Sequence, residues 1–478
     1  MSRIILIFAI SKKEHVMAKL IQDKIKEVPG LLFVVDSMEL MSAAGRRRML
    51  EQPLLINPQE LEHEQQAVAT LRQLLDQPSY SQPLVVLRHQ LMQLHDLHTT
   101  LKSLQSHIIL NEVELFEIKN LAFLCAHSRK ALADMQVDGS FQLPDLSEVF
   151  NLLDPDQTGI PTFYIYDSYD LRLSPLRKKM KVADDKEMTE LMAEQNEIQQ
   201  QVIAHLCDLL HPFSQILTDA LDQLAYIDFT LARATLAQAW SLTRPEPAAP
   251  GSPLSIESLF NPRLKLHNEA VGLRYQNVDL GLTPGVTLVT GANMAGKTVL
   301  LKSIGVAQLM YQFGFPVPAS YARMEAVDDV VFCIGDEQNE MNGLSSYASE
   351  ITRISEVLQR SEKEHLLVLI DEPARTTNPI EGKALVQAIA SIMGQRGSIT
   401  MITTHYSQLG IACRRLRVRG FVESLSDIPL TPESINRFID YSLVADTSDE
   451  VPQEALRIAE LLECYPGLIQ QARQFLLS

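Results

Sequence analysis

Residues 291–298 read Gly291-Ala292-Asn293-Met294-Ala295-Gly296-Lys297-Thr298, which fits the pattern G-x-x-x-x-G-K-[ST] of a phosphate-binding loop (P-loop). The apolar run 286–290 before it is typical of a strand, and the stretch 299–304 after it is typical of a helix. The two glycines let backbone N–H groups turn toward a polyphosphate, and the positive end of the helix faces the same anion. We therefore expect Lys297 to reach the outer phosphates and Thr298 to bind Mg²⁺. A glycine-containing turn with a chance lysine is the alternative.

A second motif follows about seventy residues later, where the apolar run 366–370 ends in Asp371-Glu372-Pro373. A strand that ends in two acids places both carboxylates at the carboxyl edge of a sheet, beside the P-loop. Asp371 is predicted to hold Mg²⁺, directly or through water, and Glu372 to polarise the attacking water. The pair therefore predicts ATP hydrolysis, in which Lys297 and Thr298 carry the chemistry together with Asp371 and Glu372.

Two further segments suggest how the γ-phosphate is recognised. His405 follows the predicted strand 398–403, from where a histidine can reach the γ-phosphate and report its loss. Ser345 and Ser346 open a predicted helix, and a serine-rich helix start is an anion site. Since the chain has no second nucleotide loop, the simplest arrangement has this helix cap the γ-phosphate bound by another subunit. That predicts a head-to-tail dimer with two composite sites; an ordinary capped helix is the alternative.

Composition limits the partners and the compartment. The chain has 478 residues, which is long enough for two or three domains. Its formal net charge of −17 does not favour the binding of nucleic acid through long-range electrostatics. The five cysteines form no C-x-x-C pair, which fits a reducing cytoplasm without zinc or disulfides. No apolar run approaches membrane-spanning length, and the apolar start is expected to be a buried strand or helix turn. Local basic spots lie at 46–48, 177–181 and 414–419.

The pattern along the chain predicts four parts. Residues 1–145 are expected to be a mainly helical N-terminal region, in which the leucine spacing predicts one long helix over 84–102. Residues 146–243 are expected to form a helical lever or core domain, with helices over 186–210 and 213–240. Four prolines in 244–253 predict a linker. Residues 254–478 alternate strands with helices, which is typical of an α/β fold with a mostly parallel sheet.

These motifs together resemble those of the MutS family, the ABC-type ATPases of mismatch repair and their relatives. The resemblance covers about residues 220–477 and is weak in the first 150. It is carried by the Asn293-Met294 pair in the P-loop, by Ser345, Ser346 and Glu350 in the signature segment 335–350, by Asp371-Glu372 with the arginine loop 373–377, and by the histidine switch Thr404-His405-Tyr406. It implies an ABC-type ATPase fold, ATP and Mg²⁺ as cofactors, nucleotide contacts from Gly291, Asn293, Met294 and Gly296, and a dimer with itself or a homologous subunit.

The chain departs from that family where DNA is read. The mismatch-reading module with its Phe-x-Glu wedge has no counterpart, and residues 186–240 leave no room for an inserted clamp, so a truncated member is expected. DNA is one candidate target, favoured by the family and the basic spots. The alternative is a factor that reactivates an adenosylcobalamin-dependent aminomutase, favoured by the acidity and by the resemblance of 115–119 and 163–167 to that group. A non-hydrolysing scaffold is disfavoured by the intact catalytic set.

Overall fold

The protein is described by a computed structural model that covers residues 19–159, 164–291, 296–335, 346–421, 438–446, 456, 459 and 465–477. The described residues before 240 are mostly helical. Their helices are α1 (Ile21–Glu27), α2 (Pro29–Asp36), α3 (Ala43–Leu50), α4 (Pro58–Leu75), α5 (Ser81–Met92), α6 (His98–Gln105), α7 (Glu112–Asp134), α8 (Ser147–Leu153), α9 (Leu173–Met180), α10 (Asp185–Leu210) and α11 (Ser214–Ala239). The predicted apolar start at 4–10 lies outside the described residues.

Helix α11 is the centre of this helical part. It packs against α3, α4, α6 and α7, and most of its side chains are buried. The two long helices expected over 186–210 and 213–240 are confirmed as α10 and α11, which a 3-10 turn containing Pro212 separates. Asn111 caps α7, because its side chain accepts hydrogen bonds from the backbone N–H groups of Val113 and Glu114.

The single long helix predicted over 84–102 is wrong, because the chain turns between α5 and α6. Leu87, Leu94 and Leu101 are buried as a continuous helical stripe would require. However, the carboxylate of Asp96 accepts a hydrogen bond from the backbone N–H of His98 at 3.2 Å, which offers the backbone a local partner outside a helix. The leucine spacing therefore predicted the buried face correctly and missed the break.

The second half of the chain is built on strands with connecting helices. The strands are β1 (Glu246–Pro247), β2 (Leu254–Leu259), β3 (Val278–Leu282), β4 (Gly285–Thr290), β5 (Tyr321–Met324), β6 (Asp329–Cys333), β7 (Leu366–Asp371), β8 (Ile399–Thr403), β9 (Arg414–Phe421) and β10 (Ile439–Ala445). The helices are α12 (Pro262–Ala270), α13 (Lys297–Gln312), α14 (Ser346–Arg360), α15 (Pro379–Gly394) and α16 (Pro466–Leu477).

The main sheet of the described residues has the order β10-β9-β4-β8-β7-β6 and is parallel except for the β9–β10 pair. Its central strands are buried on both faces, as a sheet covered by helices on both sides requires. The α/β fold class with a mostly parallel sheet, preceded by a helical part, is confirmed. Register pairs Val289 with Thr403 and Asp371 with Thr403, so β4, β8 and β7 end at the same level.

The proline-rich stretch 244–253 contains an edge strand. Residues 246–247 form β1, which pairs with β5 in a second sheet of order β1-β5-β2-β3. The N–H of Ala248 donates to the carbonyl of Met324 at 2.8 Å. Proline is compatible with this position because an edge strand does not need every backbone donor.

A buried arginine joins the helical part to the sheet-containing part. Arg233 of α11 is fully buried and donates to the carbonyl of Gly314 at 3.0 Å, just beyond the end of α13. Its guanidinium also lies 2.6 Å from a carboxylate oxygen of Glu64 in α4 and 4.2 Å from the ring centroid of Phe229. Gly314 has φ +80°, and a Cβ there would collide with Arg233, so this close approach requires glycine.

Asp228 of α11 holds the segment that enters α3. Its carboxylate accepts hydrogen bonds from the N–H of Met41 at 3.0 Å, from the N–H of Ser42 at 2.8 Å and from the hydroxyl of Ser42 at 2.6 Å. Asp228 is fully buried, so these bonds satisfy an otherwise costly group. Gly45 lies against the carboxylate, where a Cβ would collide with it.

We expect Asp228→Ala to lower the free energy of unfolding of the helical part by about 3 kcal/mol, because it leaves buried donors at residues 41 and 42 without a partner. Urea unfolding followed by circular dichroism measures this loss. Asp222→Ala is the matched control: Asp222 lies on the same helix, and its partly exposed ion pair with Arg47 is expected to contribute less than about 1 kcal/mol. Equal losses in the two variants would contradict the role given to Asp228.

Candidate active site

The P-loop lies between the end of β4 and the start of α13. Gly296 has φ +71°, a left-handed conformation that favours glycine, and it directly precedes the helix. A Cβ on Gly296 would lie 3.1 Å from the ring of Tyr441 in β10. The described ends of the loop therefore have the strand-to-helix context that the motif requires. Asn293 and Met294 lie outside the described residues and stay predictions.

Lys297 is buried at the base of this loop. Its ammonium donates to the carbonyl of Gly291 at 2.6 Å and lies 3.1 Å from a carboxylate oxygen of Glu372. A buried ammonium is costly without a counter-charge, and Glu372 provides one. The two residues that sequence reasoning assigned to phosphate binding and to water activation are thus in direct contact.

Asp371 lies between two threonine hydroxyls. Thr298 Oγ1 donates to one carboxylate oxygen at 2.6 Å, and Thr403 Oγ1 donates to the other at 2.6 Å. Mg²⁺ is commonly held by one or two protein oxygens together with water and substrate phosphates. The hydroxyl of Thr298 and the carboxylate of Asp371 supply hard oxygen donors at hydrogen-bond distance from each other, so the pair fits the predicted metal.

The backbone at Glu372 is unusual. Glu372 has φ +43°, and Ala374 two residues later has φ +61°; both are non-glycine residues in the left-handed region. The N–H of Glu372 lies 3.0 Å from the hydroxyl of Thr403 and 3.2 Å from its carbonyl, which fixes the residue to the end of β8. The exposed Arg375 lies 3.8 Å from the second carboxylate oxygen of Glu372.

The structure brings Lys297, Thr298, Asp371 and Glu372 together at one edge of the sheet. His405 lies two residues beyond the end of β8, with an exposed side chain and its ring 4.3 Å from that of Tyr406. It therefore shares the edge, as its position after the strand predicted. Ser345 lies outside the described residues. Ser346 begins α14, and its anion-binding role stays a prediction.

Sequence reasoning missed two residues of this site, Thr403 and Tyr441. Thr403 could have been found from strand register, since equal strand ends place it opposite Asp371. Tyr441 comes from a strand that the sequence did not predict. Burial raises the pKa of its phenol, which keeps the ring neutral, and the ring beside Gly296 offers a flat apolar surface next to the loop.

Comparison with known proteins gives one family for the second half of the chain. Residues 287–474 match the family described as MutS domain V. The protein of Symbiobacterium thermophilum named Endonuclease MutS2 is 32% identical over 61% of this chain and 35% of its own length. The protein of the same name from Thermus thermophilus is 39% identical over 40% of this chain and 24% of its own length. The protein of the same name from Ligilactobacillus salivarius is 29% identical over 66% of this chain and 39% of its own length.

The chain spans 24–39% of the length of these three relatives. Their shared name refers to a nuclease and not to the reactivation of an aminomutase, so the second candidate target gains no support from them. Among the described residues, no helix combines the length and the apolar character that crossing a membrane requires.

We expect Thr403→Val to lower the kcat of ATP hydrolysis about tenfold or more, because misplacing catalytic groups by a fraction of an ångström to an ångström has effects of this order. The substitution removes the hydroxyl that orients both Asp371 and the backbone of Glu372. Steady-state turnover at saturating ATP and Mg²⁺ measures it.

Thr400→Val is the matched control on the same strand. The Thr400 hydroxyl is buried, and among the described residues it has no hydrogen-bond partner, so valine should fit there with unchanged turnover. If both variants kept wild-type kcat, Thr403 would have no role in placing the carboxylates.

Proposed function

We propose a function from the premise that this chain belongs to the MutS family, whose domain V its residues 287–474 match. It binds ATP at the P-loop and hydrolyses it to ADP and phosphate. The observation that supports this most is the meeting of Lys297, Thr298, Asp371 and Glu372 within hydrogen-bond or ion-pair distance at one sheet edge. These are the group types that phosphoryl transfer needs, placed for positioning and charge stabilisation.

Lys297 and Glu372 act in sequence in this proposal. Lys297 binds phosphate oxygens, and the bound phosphate then replaces Glu372 as its counter-charge. Glu372 is thereby released to orient and polarise the attacking water, while His405 reads the γ-phosphate. Thr298 and Asp371 hold the cation, and Mg²⁺ when bound neutralises charge on the phosphates. Gly291, Asn293, Met294 and Gly296 line the phosphate cradle.

The working unit that we propose is a head-to-tail dimer, with itself or with a homologous subunit. Ser346, the first residue of α14, and Ser345 before it in the sequence then cap the γ-phosphate bound by the partner. Hydrolysis removes that shared anion and so changes the contact between subunits. The rearrangement reaches the helical part through the buried contact of Arg233 with Gly314.

DNA is the target that we propose, by family and by the nuclease name of the relatives. The nuclease activity itself is not carried over, since the chain spans only part of those relatives. Of the predicted basic spots, the one at the end of α9 fits best, because Lys178, Lys179 and Lys181 are exposed and form no ion pair within the described residues. Arg47, in contrast, is engaged by Asp96, Glu51 and Asp222.

Glu372→Gln tests the chemistry. The amide keeps the size of the side chain but cannot polarise water as a carboxylate does, so turnover should fall by about 100-fold or more while ATP still binds. Phosphate release measures turnover, and equilibrium binding of a fluorescent ATP analogue measures affinity. Glu381→Gln, an exposed change in the first turn of α15, is the control and should leave both quantities unchanged. Undiminished turnover in Glu372→Gln refutes the assigned base.

Binding to homoduplex, mismatched and branched DNA at physiological salt tests the target. We expect binding that weakens steeply with added salt and that is reduced by Lys178→Gln combined with Lys179→Gln. Lys130→Gln, an exposed lysine change on α7, is the control. An absence of binding to all three DNAs refutes the DNA proposal, and co-purification with a cobalamin enzyme would then favour the protein target.

A further inference from the structure

The backbone of Ala374 is held from two sides by side chains of other elements. Glu350 of α14 accepts a hydrogen bond from the N–H of Ala374 at 3.0 Å. Tyr406, which follows β8, donates its hydroxyl to the carbonyl of the same residue at 3.3 Å. Ala374 itself is fully buried. One residue of the loop after β7 is therefore fixed by two motifs that lie apart in sequence.

This attachment matters because of the strain in the loop. Glu372 and Ala374 both adopt left-handed conformations, which persist only when the surrounding structure holds them. Thr403 fixes the N–H of Glu372, whereas Glu350 and Tyr406 fix Ala374. Release of Ala374 would allow the loop to relax and would move the carboxylate of Glu372.

The close contact of Tyr406 depends on glycine in α15. A Cβ on Gly382 would collide with the Tyr406 hydroxyl and would lie 3.0 Å from the carbonyl of Ala374. Burial raises the pKa of the Glu350 carboxyl, which the hydrogen bond from Ala374 partly offsets. The contact is thus packed from three elements: α14, α15 and the segment after β8.

Glu350 lies one helical turn after Ser346, the first residue of α14. A displacement of the start of α14 therefore reaches Glu350 directly. In the proposed dimer that start faces the nucleotide of the partner subunit, while Glu372 serves the nucleotide of its own subunit. The Glu350–Ala374 hydrogen bond connects α14 directly to the loop that carries Glu372.

We propose that Glu350 is a positioning residue for Glu372 of its own subunit, and that it ties this carboxylate to the helix that serves the partner's nucleotide. The role rests on the proposed function. When α14 docks against the partner's γ-phosphate, Glu350 keeps Ala374 and hence Glu372 in the productive geometry. Each site then depends on the occupancy of the other.

Glu350→Ala and Glu350→Gln give the first test. Alanine removes the acceptor, so kcat should fall about 10- to 100-fold while the KM for ATP changes less than about threefold, because the defect is one of position. Glutamine keeps a carbonyl oxygen at the same place and should restore kcat to within about threefold of wild type. Glu356→Ala, an exposed change on the same helix, is the control. Equal activity of the alanine variant and wild type overturns the proposal.

Tyr406→Phe tests the other side of the same residue and stays informative if Glu350→Ala fails to fold. It should lower kcat with little change in KM. The double variant with Glu350→Ala should lower kcat by a smaller factor than the product of the two single factors, because both side chains hold Ala374. Independent, multiplicative effects, or a Tyr406→Phe variant with wild-type kcat, count against the shared contact.

Mixed dimers separate a role within one subunit from a role across the interface. Glu350→Ala subunits, which keep Glu372, are mixed with Glu372→Gln subunits, which keep Glu350. If Glu350 acts within its own subunit, the mixture stays as inactive as its components. Recovery of turnover on mixing places Glu350 across the interface and overturns the proposal. If the wild-type protein does not hydrolyse ATP, the proposed ATPase function is refuted instead. If the wild-type protein is active as a monomer, the proposed dimer is refuted, and the comparison of Glu350→Ala with Glu350→Gln remains the test of Glu350.

Discussion

The carboxylate of Asp371 is held between the hydroxyls of Thr298 and Thr403, and the geometry of the site depends on this pair of hydrogen bonds. One hydroxyl comes from the helix after the P-loop and the other from the neighbouring strand. The bonds form because β7 and β8 pair in a register that sets Asp371 opposite Thr403, and because Gly296 starts α13 at the same level. The parallel register thus sets where the Asp371 carboxylate lies relative to the two hydroxyls.

The loop after Asp371 combines strain with local compensation. A non-glycine residue in the left-handed region costs on the order of 1–2 kcal/mol, so Glu372 and Ala374 together cost on the order of 2–4 kcal/mol. The hydrogen bonds from Thr403, Glu350 and Tyr406 each contribute about 1 kcal/mol net, which is of the same size. Such a balance makes the position of Glu372 sensitive to small changes in the side chains that hold the loop.

The central strands were predictable because continuous apolar runs with flanking turn residues mark strands that are buried on both faces. The helices that carry motifs were predictable because they follow these strands in the sequence. Strand β9 was not predicted, because its arginines were interpreted as a basic spot. In the structure Leu416, Val418 and Gly420 are buried and alternate with Arg415, Arg417 and Arg419, which is the period of a strand. Contacts set by register, such as Thr403 with Asp371, and contacts across the fold, such as Glu350 with Ala374, have no signature in a local window of sequence.

Helix α13 has one further mechanical consequence. Its 16 residues span about 24 Å, with the P-loop at one end. At the other end Gln312 donates to the carbonyls of Leu55 and Val327, and Arg233 binds the carbonyl of Gly314. If α13 pivoted by about 5° about the end next to the P-loop, its other end would move by about 2 Å, which is more than a buried hydrogen bond tolerates. If α13 pivots in this way, α11 must move with it, or the hydrogen bond from Arg233 to the carbonyl of Gly314 must break.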